Sequence, residues 1–426
     1  MRWKLFDMGD RGGSTSHVRP RTRCYKSATP RFQAGGEKDR MKTEAVSRVR
    51  VTVTILALLL ALSGVVSGAR GEDENGFHLA SGPVELPGVP GIYQWRFEAT
   101  VGPSPSDRIA LHRFAQGRAP QRHDLTVLYL PGTNMNGDIA LYDPRYSFPV
   151  YLAAGRVDVW ALDYRTHFVA STATAGEISD LFKRWTNEEF ASDIATAASF
   201  ILKQTGSQKI FLAGFSRGVS FAYLFTAQHP RQVAGIIALD GFIPRRTSQP
   251  LPDDHAVDDL AGKNLTWEKR QFLMEAVIAN PDGPAPLPKY QTAAENLEHV
   301  VYDSKDFGGH GGLANPFDGY SSPVVLARML VGYDRYWPAV QNYQNPFTAE
   351  LRTALQESKV PVIAFASTNI GPDWSTWVGE SAHATGSDDV TFQVFQKWGH
   401  LDVLCGTHAQ EQVFAPTLAW LKRHEK

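Results

Sequence analysis

A serine hydroxyl at neutral pH is a weak nucleophile, so a chain that uses one must expose it on a strained bend and supply a base. The stretch from Lys209 to Tyr223, KIFLAGFSRGVSFAY, has the makings of such a bend. Five mostly apolar residues suit a short buried strand, Gly214-Phe215-Ser216-Arg217-Gly218 follows, and Val219, Phe221, Ala222, Leu224 and Phe225 recur at helical spacing. Strand, G-x-S-x-G and helix together make a nucleophile elbow. Gly214 and Gly218 leave room where a Cβ would meet the neighbouring strand or helix. The helix start points at Ser216, where negative charge would develop.

The base should follow the last strand. His400, in Gln396-Lys-Trp-Gly-His-Leu-Asp-Val403, does so directly after the apolar run Val390–Phe395. His310, His383 and His408 lie in loops or later segments, and His123, His167 and His255 have no flanking pattern. The acid that orients the base is expected after the preceding strand. Asp373, in the loop behind Val360–Ala366, fits that place; Asp240, at the end of the strand after the elbow, is the alternative acid. An oxyanion hole needs two amide donors: Arg217, next to the serine, and Thr133 in the turn Pro131-Gly-Thr-Asn-Met-Asn-Gly137, with Asn134 next in line. Phe215, Asn134, Tyr336 and Trp337 are the candidate substrate-contacting residues. No histidine pair has metal-ligand spacing, so no metal is expected.

These residues need a scaffold. Ile92–Val101 and Arg108–Phe114 alternate like a half-exposed hairpin, whereas Leu125–Leu130, Val157–Leu162 and Val233–Leu239 are continuous apolar runs suited to strands covered on both faces. Helical periodicity from Glu188 to Lys203 and from Gln410 to Arg423 supplies the covering layers. The alternation stops at Pro244, gives way to a Pro-, Asp- and Gly-rich stretch up to about Pro346, and resumes with Val360–Ala366. Residues 244–346 therefore read as a cap or lid inserted into a core of 92–243 and 347–426, with Gly308–Gly312 as its hinge. Residues 1–40 read as a disordered or upstream extension, and 70–91 as a linker.

Residues 41–69 have the layout of a signal peptide: Lys42, Arg48 and Arg50, an apolar run from Val51 to Val66, then small residues ending at Ala69. The run is short for a bilayer span, so a secreted or periplasmic protein without a stable membrane span is expected; an uncleaved anchor is the alternative. Only Cys24 and Cys405 occur, so export would not depend on an internal disulfide. A net charge of −1 argues against nucleic acid as a partner.

From about Tyr93 to His424 the chain resembles the α/β-hydrolases, through the GFSRG elbow, the LPGTN turn, the Asp373 loop and Gly399-His400 in Ser–acid–His order. The resemblance implies an α/β fold with a mostly parallel sheet flanked by helices and an inserted cap. It also implies hydrolysis of a carboxylic ester, from a small molecule or lipid, through an acyl-enzyme without a cofactor. Ser216 sets the chain apart from dehalogenase and epoxide-hydrolase branches, which use aspartate at the elbow. An amidase, thioesterase, peptidase or C–C hydrolase would use the same residues, and a binding protein on this scaffold is a third reading.

Overall fold

The computed structural model describes residues 76–425, except 119–124, 139–140, 253–255, 262–264 and 306–308. The expected extension and signal peptide, with Cys24, lie outside the described residues.

The chain opens on β1 (His78–Glu85), β2 (Ile92–Thr100), β3 (Arg108–Gln116) and β4 (Thr126–Leu130), followed by α1 (Phe148–Ala154) and β5 (Asp158–Asp163). Helices α2 (Ala175–Arg184) and α3 (Asn187–Thr205) lead to β6 (Ile210–Phe215), α4 (Arg217–Gln228) and β7 (Val233–Leu239). Between β7 and the return to the sheet lie β8 (Val257–Asp259), α5 (Trp267–Ala279), α6 (Ala293–Tyr302), α7 (Pro323–Leu330), β9 (Tyr336–Pro338) and α8 (Val340–Tyr343). The chain closes with α9 (Ala349–Glu357), β10 (Val362–Ser367), α10 (Trp374–Ala382), β11 (Val390–Phe395), α11 (Asp402–Cys405) and α12 (Ala415–Arg423).

Among the described residues nine strands form one sheet in the order β1-β2-β3-β5-β4-β6-β7-β10-β11. The β3–β5 pair and the pairs before it are antiparallel, and every pair from β5 to β11 is parallel. The expected linker is partly a strand, because His78–Glu85 pairs antiparallel with β2. Its Ser-Gly-Pro content hides it in the sequence: the pairing is made by backbone groups at a sheet edge, where Pro and Gly are tolerated.

The continuous apolar strands are buried on both faces, as their composition requires. Val127, Tyr129, Phe211, Ala213, Ile237 and Leu239 point into one apolar cluster, while Leu128, Leu130, Ile210, Leu212, Ile236 and Ala238 point into the other. The first cluster also contains Leu273, Met274, Leu297, Leu326 and Leu330 from α5–α7. The inserted segment therefore shares the core of the sheet instead of burying one of its own.

Candidate active site

Ser216 sits between β6 and α4 with φ 53° and ψ −117°, a strained backbone that a non-glycine residue keeps only when its surroundings impose it. The surroundings here are tight. A Cβ on Gly214 would come within 2.4 Å of the Gly218 backbone, and one on Gly218 within 1.9 Å of the Leu130 carbonyl oxygen. The Ser216 amide donates to the Leu239 carbonyl at 3.0 Å, tying the bend to the end of β7.

One residue past that carbonyl is Asp240, fully buried and itself at φ 50°. Its Oδ2 accepts from His400 Nδ1 at 2.7 Å and from the Ser367 hydroxyl at 2.6 Å. Its Oδ1 accepts from the Ser367 amide at 2.7 Å and from the Trp374 indole at 3.0 Å. The His400 ring lies between Phe215, at 4.6 Å between centroids, and the edge of Trp374, at 5.4 Å. His400 is 97% shielded from solvent, and its backbone amide donates to the Gly312 carbonyl at 3.0 Å. The imidazole is thus fixed by one carboxylate, two rings and the inserted segment. The glycines at 309–312, read as a hinge, brace the histidine loop instead.

That geometry corrects the acid. Asp373 is exposed at the start of α10, and the carboxylate on His400 belongs to Asp240. At the end of β10, where the acid was expected, Ser367 turns its hydroxyl and amide toward Asp240. Asp402 also lies close by but braces the loop. Its Oδ2 accepts from Gly399 and Asn315 amides at 2.7 and 3.1 Å, while burial and then the nearby Asp240 charge push its pKa up to about 7.

Gly132 brings the second turn against the bend, since a Cβ there would lie 3.1 Å from the Ser216 Cβ. Among the described residues, no backbone hydrogen bond occupies the Thr133 amide or the Arg217 amide that begins α4. The two expected oxyanion donors are therefore near Ser216 and unspent. Thr133 and Arg217 also meet through their side chains, with Arg217 Nε donating to Thr133 Oγ1 at 3.0 Å.

The family profile described as the alpha/beta hydrolase fold matches residues 126–282. A Sulfolobus solfataricus protein described as a lipase is 25% identical, with a TM-score of 0.67 over 81% of this chain and 98% of its own. The chain has the α/β-hydrolase fold. A Thermogutta terrifontis esterase is 18% identical, with a TM-score of 0.40 over 78% of this chain and 99% of its own. A Paleococcus ferrophilus monoacylglycerol lipase is 15% identical, with a TM-score of 0.43 over 74% and 98%. Both are too distant to carry an argument. No curated protein matches the chain in sequence.

In this fold the four candidate substrate contacts are each engaged by other parts of the protein. Trp337 is fully buried, edge-on to Tyr164 and Phe190, and its indole donates to Gln341 Oε1 at 3.1 Å. Tyr336 is half-buried in the two-stranded β8–β9 ribbon, under the Arg335 guanidinium. Phe215 is buried and serves His400. Asn134, also buried, gives its side-chain amide to the Asp334 carbonyl at 3.0 Å and receives the Asp334 amide on its own carbonyl at 2.7 Å. Aromatic type alone could not separate wall from core, because both bury rings.

Asn134 belongs to a network that sequence reasoning missed. Asp334 accepts from Asn136 Nδ2 and His167 Nδ1, both at 3.0 Å, and from the Thr166 hydroxyl at 3.1 Å. Asp163, at the end of β5, accepts from the Gly137 amide and His112 Nε2, both at 2.8 Å. The turn carrying Thr133 is thereby fastened to β5 and to the inserted segment. His167 has no sequence signal; its role comes from partners about 170 positions away.

Burial would lower the His167 pKa, but the Asp334 hydrogen bond and the Asp163, Asp334 and Asp138 charges raise it to about 9. A histidine raised in the fold stabilises fully below its unfolded value, about 6.5, and loses that contribution as pH rises through about 9. Between pH 6.5 and 9.5 the melting temperature of the wild type should therefore fall further than that of His167→Gln. Parallel slopes in differential scanning fluorimetry would contradict the assignment.

Proposed function

We propose that this hydrolase cleaves a carboxylic ester through an acyl-enzyme formed on Ser216. The Asp240–His400 hydrogen bond beside the strained serine carries the reading. Nδ1–H held by a buried carboxylate leaves Nε2 as the base for the serine proton and later as the acid for the leaving alkoxide. The Arg217 amide and the Thr133 amide supply the donors for the oxyanion of the tetrahedral intermediate, at the positive end of α4. Water then attacks the acyl carbonyl by the same proton route in reverse. The Sulfolobus protein described as a lipase supports an ester as the bond broken. The cationic lead and apolar run within 41–69 support export, with removal after Ala69. Among the described residues no helix is long and apolar enough to cross a membrane.

A fluorophosphonate probe should label the purified wild type, and Ser216→Ala should abolish both labelling and hydrolysis of short p-nitrophenyl esters. An unlabelled wild type that leaves such esters intact would overturn the proposal. Activity confined to matched amides would move the bond from ester to amide.

A further inference from the structure

On the serine-hydrolase reading, the two oxyanion donors come from different segments: Arg217 opens α4, and Thr133 lies in the turn after β4. The β4–β6 ladder ends at the Leu130–Gly214 pair, so the spacing of the two amides is set beyond the strand register. The Arg217 guanidinium spans that gap. Its Nε donates to Thr133 Oγ1 at 3.0 Å, and its terminal nitrogens donate to the Gln341 carbonyl at 3.5 Å and to the Asn342 side-chain oxygen. The guanidinium also lies over the Trp337 ring, 5.8 Å from the centroid.

The far anchors are themselves fixed. Gln341 is buried; its Oε1 accepts from the Trp337 indole and its Nε2 donates to the Trp185 carbonyl, both at 3.1 Å. Asn342 Nδ2 donates to Asp258 Oδ2 on β8. One planar group is therefore held at one end by the inserted segment. At the other end it holds the side chain of the residue that supplies the second amide. Arginine suits the task because its donors point in fixed directions, whereas a lysine ammonium is a single point on a flexible stem.

We propose that the Arg217 side chain is a positioning residue. It locks the Thr133 amide at the spacing from the Arg217 amide that a developing oxyanion requires, and it makes residues 341–342 of the inserted segment part of that arrangement. Donors aimed in advance need no reorganisation as the charge develops. The oxygen of the bound substrate is still a neutral carbonyl, so loss of the clamp should appear in kcat and not in KM.

Arg217→Met keeps the backbone amide and much of the side-chain length but removes every side-chain donor. On a short p-nitrophenyl ester its kcat should fall about ten-fold or more, the worth of one hydrogen bond from a charged group, with KM within about two-fold. Inhibition by an aryl trifluoromethyl ketone, whose serine adduct places an oxyanion between the two amides, should weaken by a similar factor. Thr133→Val removes the acceptor hydroxyl and keeps the other amide, so it should show the same split. The double variant should lose little more than either single one. Arg217→Lys keeps the charge without the fork and should stay close to Arg217→Met. A merely structural arginine would lower the melting temperature and leave kcat and ketone affinity of the folded enzyme unchanged. That result, additive losses in the double variant, or wild-type kcat in Arg217→Lys would overturn the clamp, while fluorophosphonate labelling of Ser216 would keep the serine hydrolase. An unlabelled wild type would remove both.

Discussion

Asp240→Asn should lower kcat on a p-nitrophenyl ester by about 10³–10⁴-fold, whereas Asp373→Asn should leave it within about two-fold. The asymmetry follows from the bonds around each carboxylate. Asp240 receives four hydrogen bonds, one of them from His400 Nδ1 at 2.7 Å. An amide of the same shape can turn its NH₂ toward Nδ1, which forces the proton onto Nε2, the atom that takes the serine proton in the proposed mechanism. It also removes the negative charge that stabilises the imidazolium as the tetrahedral intermediate forms. Asp373 is exposed at the head of α10, and removing its charge changes little beyond that helix end. The fold should survive in both variants, so circular dichroism and melting curves separate a catalytic loss from unfolding. A large loss in Asp373→Asn with a mild one in Asp240→Asn would return the acid to its sequence-based position.

The second large effect is on stability. Gly218→Ala should leave little soluble, cooperatively melting protein. A Cβ there would stand 1.9 Å from the Leu130 carbonyl oxygen and 2.8 Å from that of Pro131, and backbone at the centre of a sheet has no room to retreat. Relief requires α4 to move off the end of β4, which separates the Ser216 bend from the Thr133 turn and opens the core on that face. A cost of about 4 kcal/mol or more belongs to overpacking of this kind and takes up much of the stability of an ordinary domain. Gly176→Ala, in α2, is the control. No atom lies within 4 Å of the added methyl, so the variant should melt at or slightly above the wild-type temperature. Equal melting of Gly218→Ala and wild type would show that the elbow is looser than its packing indicates.

Ser216 and His400 were legible because each is marked by local pattern. An elbow needs strand, glycine, serine and glycine at fixed spacing, and the histidine sits directly behind a strand. The alternation of apolar strands and helices likewise announced a parallel sheet, since strands covered on both faces must be apolar throughout. The gaps have a common cause. Asp240 and Asp373 both follow buried strands, and nothing local distinguishes them. The choice was made by the sheet order β6-β7-β10, which sets Asp240 beside the serine and turns Ser367 and Trp374 toward it.

The inserted segment shows the same limit. Its Pro, Gly and aromatic content suggested a cap on a hinge. In the fold α5–α7 share the apolar cluster of the sheet, and the Gly312 carbonyl holds the His400 loop. Tyr336 and Trp337 were read as a pocket wall, and Trp337 is core. The amino-acid order alone pointed to a hydrolase and to the architecture that carries it, because both rest on short-range periodicity and on residue type. Only the tertiary structure decided which carboxylate serves the imidazole, which aromatics are interior, and how His167 and Asp334 fasten the oxyanion turn. Those choices depend on contacts between residues far apart in the chain, which local spacing does not record.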